Sequence, residues 1–108
     1  MGDIGVGKTS IAIRYSKDDF NLNQESTLGA AYVEKIHKLN EEKAIKFQIW
    51  DTAGQEKFWS ISKLYYRDSK VAFLVYDVTR TSSIKSLKQW AEDIKKNSPK
   101  NIGNRLLM

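Results

Sequence analysis

The start of the sequence constrains the fold most: Gly2-Asp3-Ile4-Gly5-Val6-Gly7-Lys8-Thr9 fits the pattern G-x-x-x-x-G-K-[ST]. Glycines allow a tight turn in which successive N–H groups point inward. The helix N-terminus that follows adds partial positive charge, Lys8 adds a full one, and the Thr9 hydroxyl is a hard oxygen ligand suited to Mg²⁺. An anionic polyphosphate is the natural occupant. Average composition makes the pattern rare by chance, on the order of a few per thousand chains of this length, so a merely flexible glycine-rich start is the weaker reading. A loop of this kind follows a strand, and only Met1 precedes Gly2 here.

From Lys8 to Tyr15, Ile11, Ala12 and Tyr15 recur at helical spacing, which predicts a helix beginning inside the glycine-rich segment. A polar loop is expected over 17–30, then two strands at roughly 31–39 and 44–50, joined by Asn40-Glu41-Glu42-Lys43 as an antiparallel hairpin. In the second strand Ile45, Phe47 and Ile49 alternate with Lys46, Gln48 and Trp50, so period two puts Trp50 on the polar face. Asp51-Thr52-Ala53-Gly54-Gln55 breaks that pattern, and Ile61, Leu64 and Tyr65 suggest a short helix. The run Val71–Tyr76 is continuously apolar, as for a strand covered on both faces in a parallel sheet. From Ser83 onward Ile84, Leu87, Ala91 and Ile94 form one helical stripe, ended by Asn97-Ser98-Pro99, and Leu106-Leu107-Met108 hints at a further strand. Alternating helices and strands give an α/β class.

The 108 residues suffice for one small domain, with no repeat or linker-like tract. Lys and Arg number 18 against 13 Asp and Glu, a net charge of +5 that lies wholly in residues 80–108. Residues 1–79 are balanced, which argues against a chain-wide nucleic-acid footprint, and the basic surplus of the last helix reads as a solvated face. Without cysteine the chain as given has no disulfide, thiol nucleophile, Cys-based metal site or prenylation site, and no direct membrane anchor is expected in it. No apolar run nears the roughly 18 residues of a membrane helix. The expectation is a soluble, intracellular protein. His37, the single histidine, falls among charged strand residues and reads as a surface group.

Two further positions bear on the loop. Asp51 closes an apolar strand; alone it is more often a turn former, but beside a phosphate loop it can hold a Mg²⁺ shell, often through water. Gly54 offers an unobstructed N–H to a terminal phosphate, and Gln55 has the donor and acceptor needed to orient a water. Thr27 is balanced between metal ligand and turn residue, and Phe20 reads on residues alone as a core or loop anchor.

Gly2–Thr9, Thr27 and Asp51-Thr52-Ala53-Gly54-Gln55-Glu56, with the spacing between them, resemble the Ras superfamily of small GTPases. Leu28-Gly29-Ala30-Ala31-Tyr32, Lys46-Phe47-Gln48-Ile49-Trp50, Lys57-Phe58-Trp59-Ser60-Ile61-Ser62 and Tyr65-Tyr66-Arg67 resemble Rab-type segments, with a lean toward the endocytic branch. The likeness spans about residues 2–97. It implies a P-loop NTPase fold, a Ras-like sheet flanked by helices. It also implies GTP/GDP as ligand and Mg²⁺ as cofactor. Gly2, Asp3, Ile4, Gly5, Val6, Gly7, Lys8, Thr9 and Ser10 would bind phosphate, with Thr9, Thr27 and Asp51 around the metal. Gly54 would sense the γ phosphate, Gln55 would place the hydrolytic water, and Phe20 would pack on guanine. Tyr32, Trp50 and Tyr65 would face effectors, with exchange and activating proteins as further partners, at the cytosolic face of endomembranes. A Trp50 covered by a neighbouring loop is the alternative for that residue.

The sequence departs from the family at several points. Ile4 stands where the family usually has a small residue beside the γ phosphate, which implies crowding of Gln55 and slow hydrolysis. The family's first strand, its Asn-Lys-x-Asp guanine reader and its last segments have no counterpart here, so the expected domain lacks its first strand and its C-terminal third. Two functions stay open: a Rab-type GTPase switch, or a Rab-like binding surface without competent turnover.

Overall fold

Gly7 sets the first element. Its φ of 92° lies in the left-handed region that glycine adopts without a side-chain penalty, and it turns the chain directly into α1 (Lys8–Lys17). The computed structural model describes residues 1–54, 64–65, 69–97 and 106–107. After α1 come β1 (Ala30–Lys38), β2 (Ala44–Thr52), β3 (Ala72–Phe73), α2 (Thr81–Asn97) and β4 (Leu106–Leu107). The expected short helix at 61–65 falls largely outside the described residues; Leu64 and Tyr65 themselves are helical.

The hairpin forms as the alternation predicts. β1 and β2 pair antiparallel over nine positions, from Ala30 opposite Thr52 to Lys38 opposite Ala44. Asn40 closes the turn: its Oδ1 accepts the backbone N–H groups of Glu42 and Lys43, a side chain mimicking a backbone turn. The last turn of α1 docks on one face. Tyr15 meets Phe47 edge-on at 5.7 Å, while Lys35 lies over the Tyr15 ring and donates from Nζ to the Tyr15 carbonyl at 2.6 Å. A cation at a helix C-terminus also suits the carbonyl ends exposed there.

The 71–76 run departs from expectation. Instead of a strand covered on both faces it forms the two-residue β3, parallel to β4; Leu74 is buried, but Phe73 is 61% exposed. The reason lies in its neighbours. Among the described residues its backbone pairs beyond β4 only with Met1, which gives its N–H to Phe73 and accepts from Val75 at 2.8 Å. Ladder and cover on the second face are therefore short, and the described sheets are two separate pairs, β1–β2 and β3–β4.

The core sits between β3 and α2, where Leu74, Leu87, Trp90 and Ile94 pack together. Leu87, Trp90 and Ile94 fall three and four residues apart and share one helix face. The expected stripe is thus shifted: Ile84 is exposed, and Trp90 takes its place. The first turn of α2 is tied instead through Ser83, whose buried hydroxyl accepts the Asp77 N–H at 3.0 Å.

Candidate nucleotide and metal site

Three segments distant in sequence meet at the start of α1. Thr9 Oγ1 donates to Asp51 Oδ2 at 2.6 Å and lies 2.6 Å from Thr27 Oγ1, which is itself 3.4 Å from the same carboxylate oxygen. Each arrives by a different route. Thr9 follows Gly7 into the first turn of the helix, Thr27 comes from the loop before β1, and Asp51 sits near the end of β2, 5% exposed. A buried carboxylate needs partners, and two hydroxyls supply them. The oxygen separations bracket the roughly 3 Å between neighbouring ligands in an octahedral shell with 2.1 Å bonds. One carboxylate and two hydroxyls are hard oxygen donors carrying a single negative charge. That set fits Mg²⁺ when phosphate oxygens complete the shell, the arrangement this ion favours.

A cavity of about 230 Å³ opens beside these oxygens, lined by Ile4, Gly5, Gly7, Lys8, Thr9, Ser10, Phe20, Thr27 and Gly54 among others. Most small-molecule sites span roughly 300–1,000 Å³, so this volume suits the phosphate end of a ligand. No side chain caps the first turn of α1, which leaves its N–H groups for an anion. Lys8 bends back across the loop and donates from Nζ to the Asp3 carbonyl at 2.6 Å. Burial pushes its pKa down; the Asp51 and Asp3 carboxylates oppose that shift, and Arg80 adds to it. Gly54 touches the loop from the other side. A Cβ there would stand 2.4 Å from the Asp3 carbonyl carbon and the Ile4 nitrogen, so only glycine permits the contact.

Not every loop residue faces the cavity. Gly2, Asp3 and Val6 are outside its lining. Gly2 is buried, and Asp3 turns its carboxylate away to accept from Trp90 Nε1 at 3.2 Å. Gln55 lies outside the described residues. Phe20 lines the cavity and is half-exposed, so it is not a core anchor.

On the opposite face of the hairpin Tyr32, Trp50 and Tyr65 form a row. Trp50 lies 4.9 Å from each of the other two rings, tilted 54° to Tyr32 and 35° to Tyr65. Period two places Trp50 correctly: it is 48% exposed and Tyr32 is 45%. Glu34 flanks the row, accepting from the Tyr32 hydroxyl at 2.9 Å and pairing with Lys46 at 2.8 Å.

Two residues at the loop were not singled out from the sequence. Trp90 was in phase with Leu87 and Ile94, a signal that could have found it. Arg80, which donates to the Ile4 carbonyl at 2.8 Å, carried none, because that contact spans 76 residues.

The Ras family model matches residues 1–107. The chain belongs to the Ras family. Its relatives within that family are Rab proteins: it is 45% identical to the Ras-related protein Rab-31 of Homo sapiens over 102 residues, covering 94% of this chain and 52% of that protein. It is 42% identical to the Ras-related protein Rab5 of Nicotiana tabacum over 102 residues, 94% of this chain and 50% of that one. The GTP-binding protein ypt5 of Schizosaccharomyces pombe is 39% identical over 111 residues, 98% of this chain and 53% of its own length. The chain spans about half the length of the relatives it matches. Among the described residues no helix is long and apolar enough to cross a membrane.

Proposed function

We propose that this Ras-family chain binds GTP and GDP with Mg²⁺ in the Gly2–Thr9 cradle, hydrolyses GTP, and serves as a Rab-type switch in membrane traffic. The observation that carries the reading is the meeting of Thr9, Thr27 and Asp51 beside Lys8, which pairs a metal-ligating oxygen set with a cation at one cavity. Mg²⁺, when bound, neutralises phosphate charge as it develops in the transfer step.

The chain's own groups do the rest. Lys8 leaves the Asp3 carbonyl for the more strongly accepting phosphate oxygens. The uncapped N–H groups of α1 and the loop bind the phosphate chain, Gly54 gives its N–H to the γ phosphate, and Gln55 orients the attacking water. Phe20, already at the cavity wall, packs on guanine. Thr27 and Gly54 stand on opposite loops and each touches the cradle, so loss of the γ phosphate releases both loops and changes the surface that effectors read. Exchange and activating proteins would act on the same loops, at the cytosolic face of endomembranes.

Single-turnover hydrolysis of GTP tests the catalytic half. Gln55→Ala should slow it by at least about tenfold, the scale of a lost positioning group. Ile4→Ser should speed it by relieving the crowding that a β-branched side chain brings to the cavity wall. Equal rates with and without Ile4→Ser would remove the crowding, and hydrolysis by the unaltered chain no faster than that of GTP alone would remove turnover and leave the second reading, a Rab-like binding surface. The Tyr32–Trp50–Tyr65 row, with Tyr32 and Trp50 exposed, favours that alternative, since it assembles apart from the cradle.

A further inference from the structure

Arg80 lies just before α2, on the outer side of the phosphate loop, and its guanidinium is anchored there twice. Nη2 donates to the Ile4 carbonyl at 2.8 Å, and Nε pairs with Asp77 Oδ2 at 3.3 Å. The turn that presents it is itself fixed: the Arg80 N–H donates to the Asp77 carbonyl at 3.0 Å, and the Arg80 carbonyl accepts from the Ser83 N–H at 3.0 Å. The same guanidinium stands over Gly5, its nitrogens 3.7 and 3.8 Å from where a Cβ would sit.

The Ile4–Gly5 peptide bond is trans, since no cis bond occurs among the described residues. In a trans peptide the C=O and the following N–H point in opposite directions. An Ile4 carbonyl drawn outward to Arg80 therefore turns the Gly5 N–H the other way, and Gly5 lines the cavity. Left-handed backbone at Gly5, φ 74°, leaves this peptide with few side-chain restraints of its own. An external tether is what fixes it.

We propose that Arg80 is a positioning residue of the cradle: by holding the Ile4 carbonyl outward it aims the Gly5 N–H at the phosphate chain of the bound nucleotide. This rests on reading the cradle as a polyphosphate site. Arg80 touches no phosphate and acts through the Ile4–Gly5 peptide. A planar fork that reaches Asp77 and Ile4 together suits arginine, whereas a lysine ammonium keeps the charge and loses the fork.

The test compares the full chain with its Arg80→Ala and Arg80→Lys variants. Titration with Mg²⁺ and GDP should show about tenfold weaker binding for Arg80→Ala and an intermediate loss for Arg80→Lys, the scale of one charge-assisted hydrogen bond. In the nucleotide-free protein the ¹⁵N–¹H resonance of Gly5 should move in Arg80→Ala, with the melting temperature held. A purely structural role would lower the melting temperature and leave the Gly5 resonance in place. Binding by Arg80→Ala within about twofold of the unaltered chain overturns the proposal, as does an unmoved Gly5 resonance. Failure of the unaltered chain to bind any nucleotide overturns the polyphosphate reading, whereas the Gly5 resonance still decides whether Arg80 holds the peptide.

Discussion

The cradle at the start of α1 and the aromatic row on the hairpin are built in contrasting ways. In the cradle, polar groups from positions 18 to 42 residues apart satisfy one another, around a carboxylate withdrawn from solvent. In the row, two rings from the paired strands and the helical Tyr65 meet at 4.9 Å, and Tyr32 and Trp50 leave about half of their surface in water. Chemistry on a small anion needs groups fixed in direction and shielded from water, because their interactions strengthen there. Recognition of a protein needs apolar area that is still exposed before the partner arrives. The contrast predicts that cradle changes alter nucleotide binding and leave the row intact, and that row changes do the reverse.

Asp51→Ala should break the contrast most severely on the cradle side. It removes the acceptor shared by Thr9 and Thr27, and the Mg²⁺-dependent part of nucleotide affinity should fall by about a hundredfold or more in calorimetric titration. Of comparable size, but in stability, is Trp90→Ala, which empties the core between β3 and α2. A large buried aromatic truncated to alanine costs about 3–5 kcal/mol, readable as a lower urea midpoint. Trp90→Phe keeps most of that packing and loses the bond to Asp3, at about 1 kcal/mol.

Trp50→Ala sharpens the other side. Stability should change by less than about 1 kcal/mol and nucleotide affinity by less than about twofold, while binding to a Rab effector weakens by about 2 kcal/mol or more. The smallest effect is in pH. Burial holds the Lys8 pKa below its ordinary 10.5, and a bound polyphosphate favours the ammonium and raises it. Binding then takes up a proton, so affinity is full below the lowered pKa and declines as pH rises through it toward 10.5. For the nucleotide-free chain the sign reverses, and stability rises across the same window, because the unfolded state keeps the proton longer. Lys8→Arg should flatten the affinity profile, since arginine does not titrate there.

Much of this was legible in the sequence because it was local. The spacing from Gly2 to Thr9 gave the loop, strict alternation over 44–50 gave the strand and its exposed Trp50, and the stripe through Leu87 and Ile94 gave α2. What escaped was set by neighbours far away in sequence. A continuous apolar run at 71–76 cannot report how long its partner strands are, and those partners leave β3 two residues long. Trp90 hid in the helical stripe behind smaller apolar residues, although its phase was right. Arg80 reads as one more charge in a basic C-terminal stretch; its pairing with Asp77 and its approach to Ile4 and Gly5 separate it from the solvated lysines of α2. Asp3 matched the loop pattern, yet its carboxylate serves the core helix instead of the cavity.

If Thr9, Thr27 and Asp51 form a metal shell for a nucleotide held by the loop, titration of the full chain with GDP, GTP and ATP, each with Mg²⁺ and again with chelator, reads it out. Binding of GDP and GTP should be saturable and should weaken at least about tenfold when Mg²⁺ is removed. Absence of binding at about 50 μM nucleotide, or binding indifferent to Mg²⁺, would contradict it.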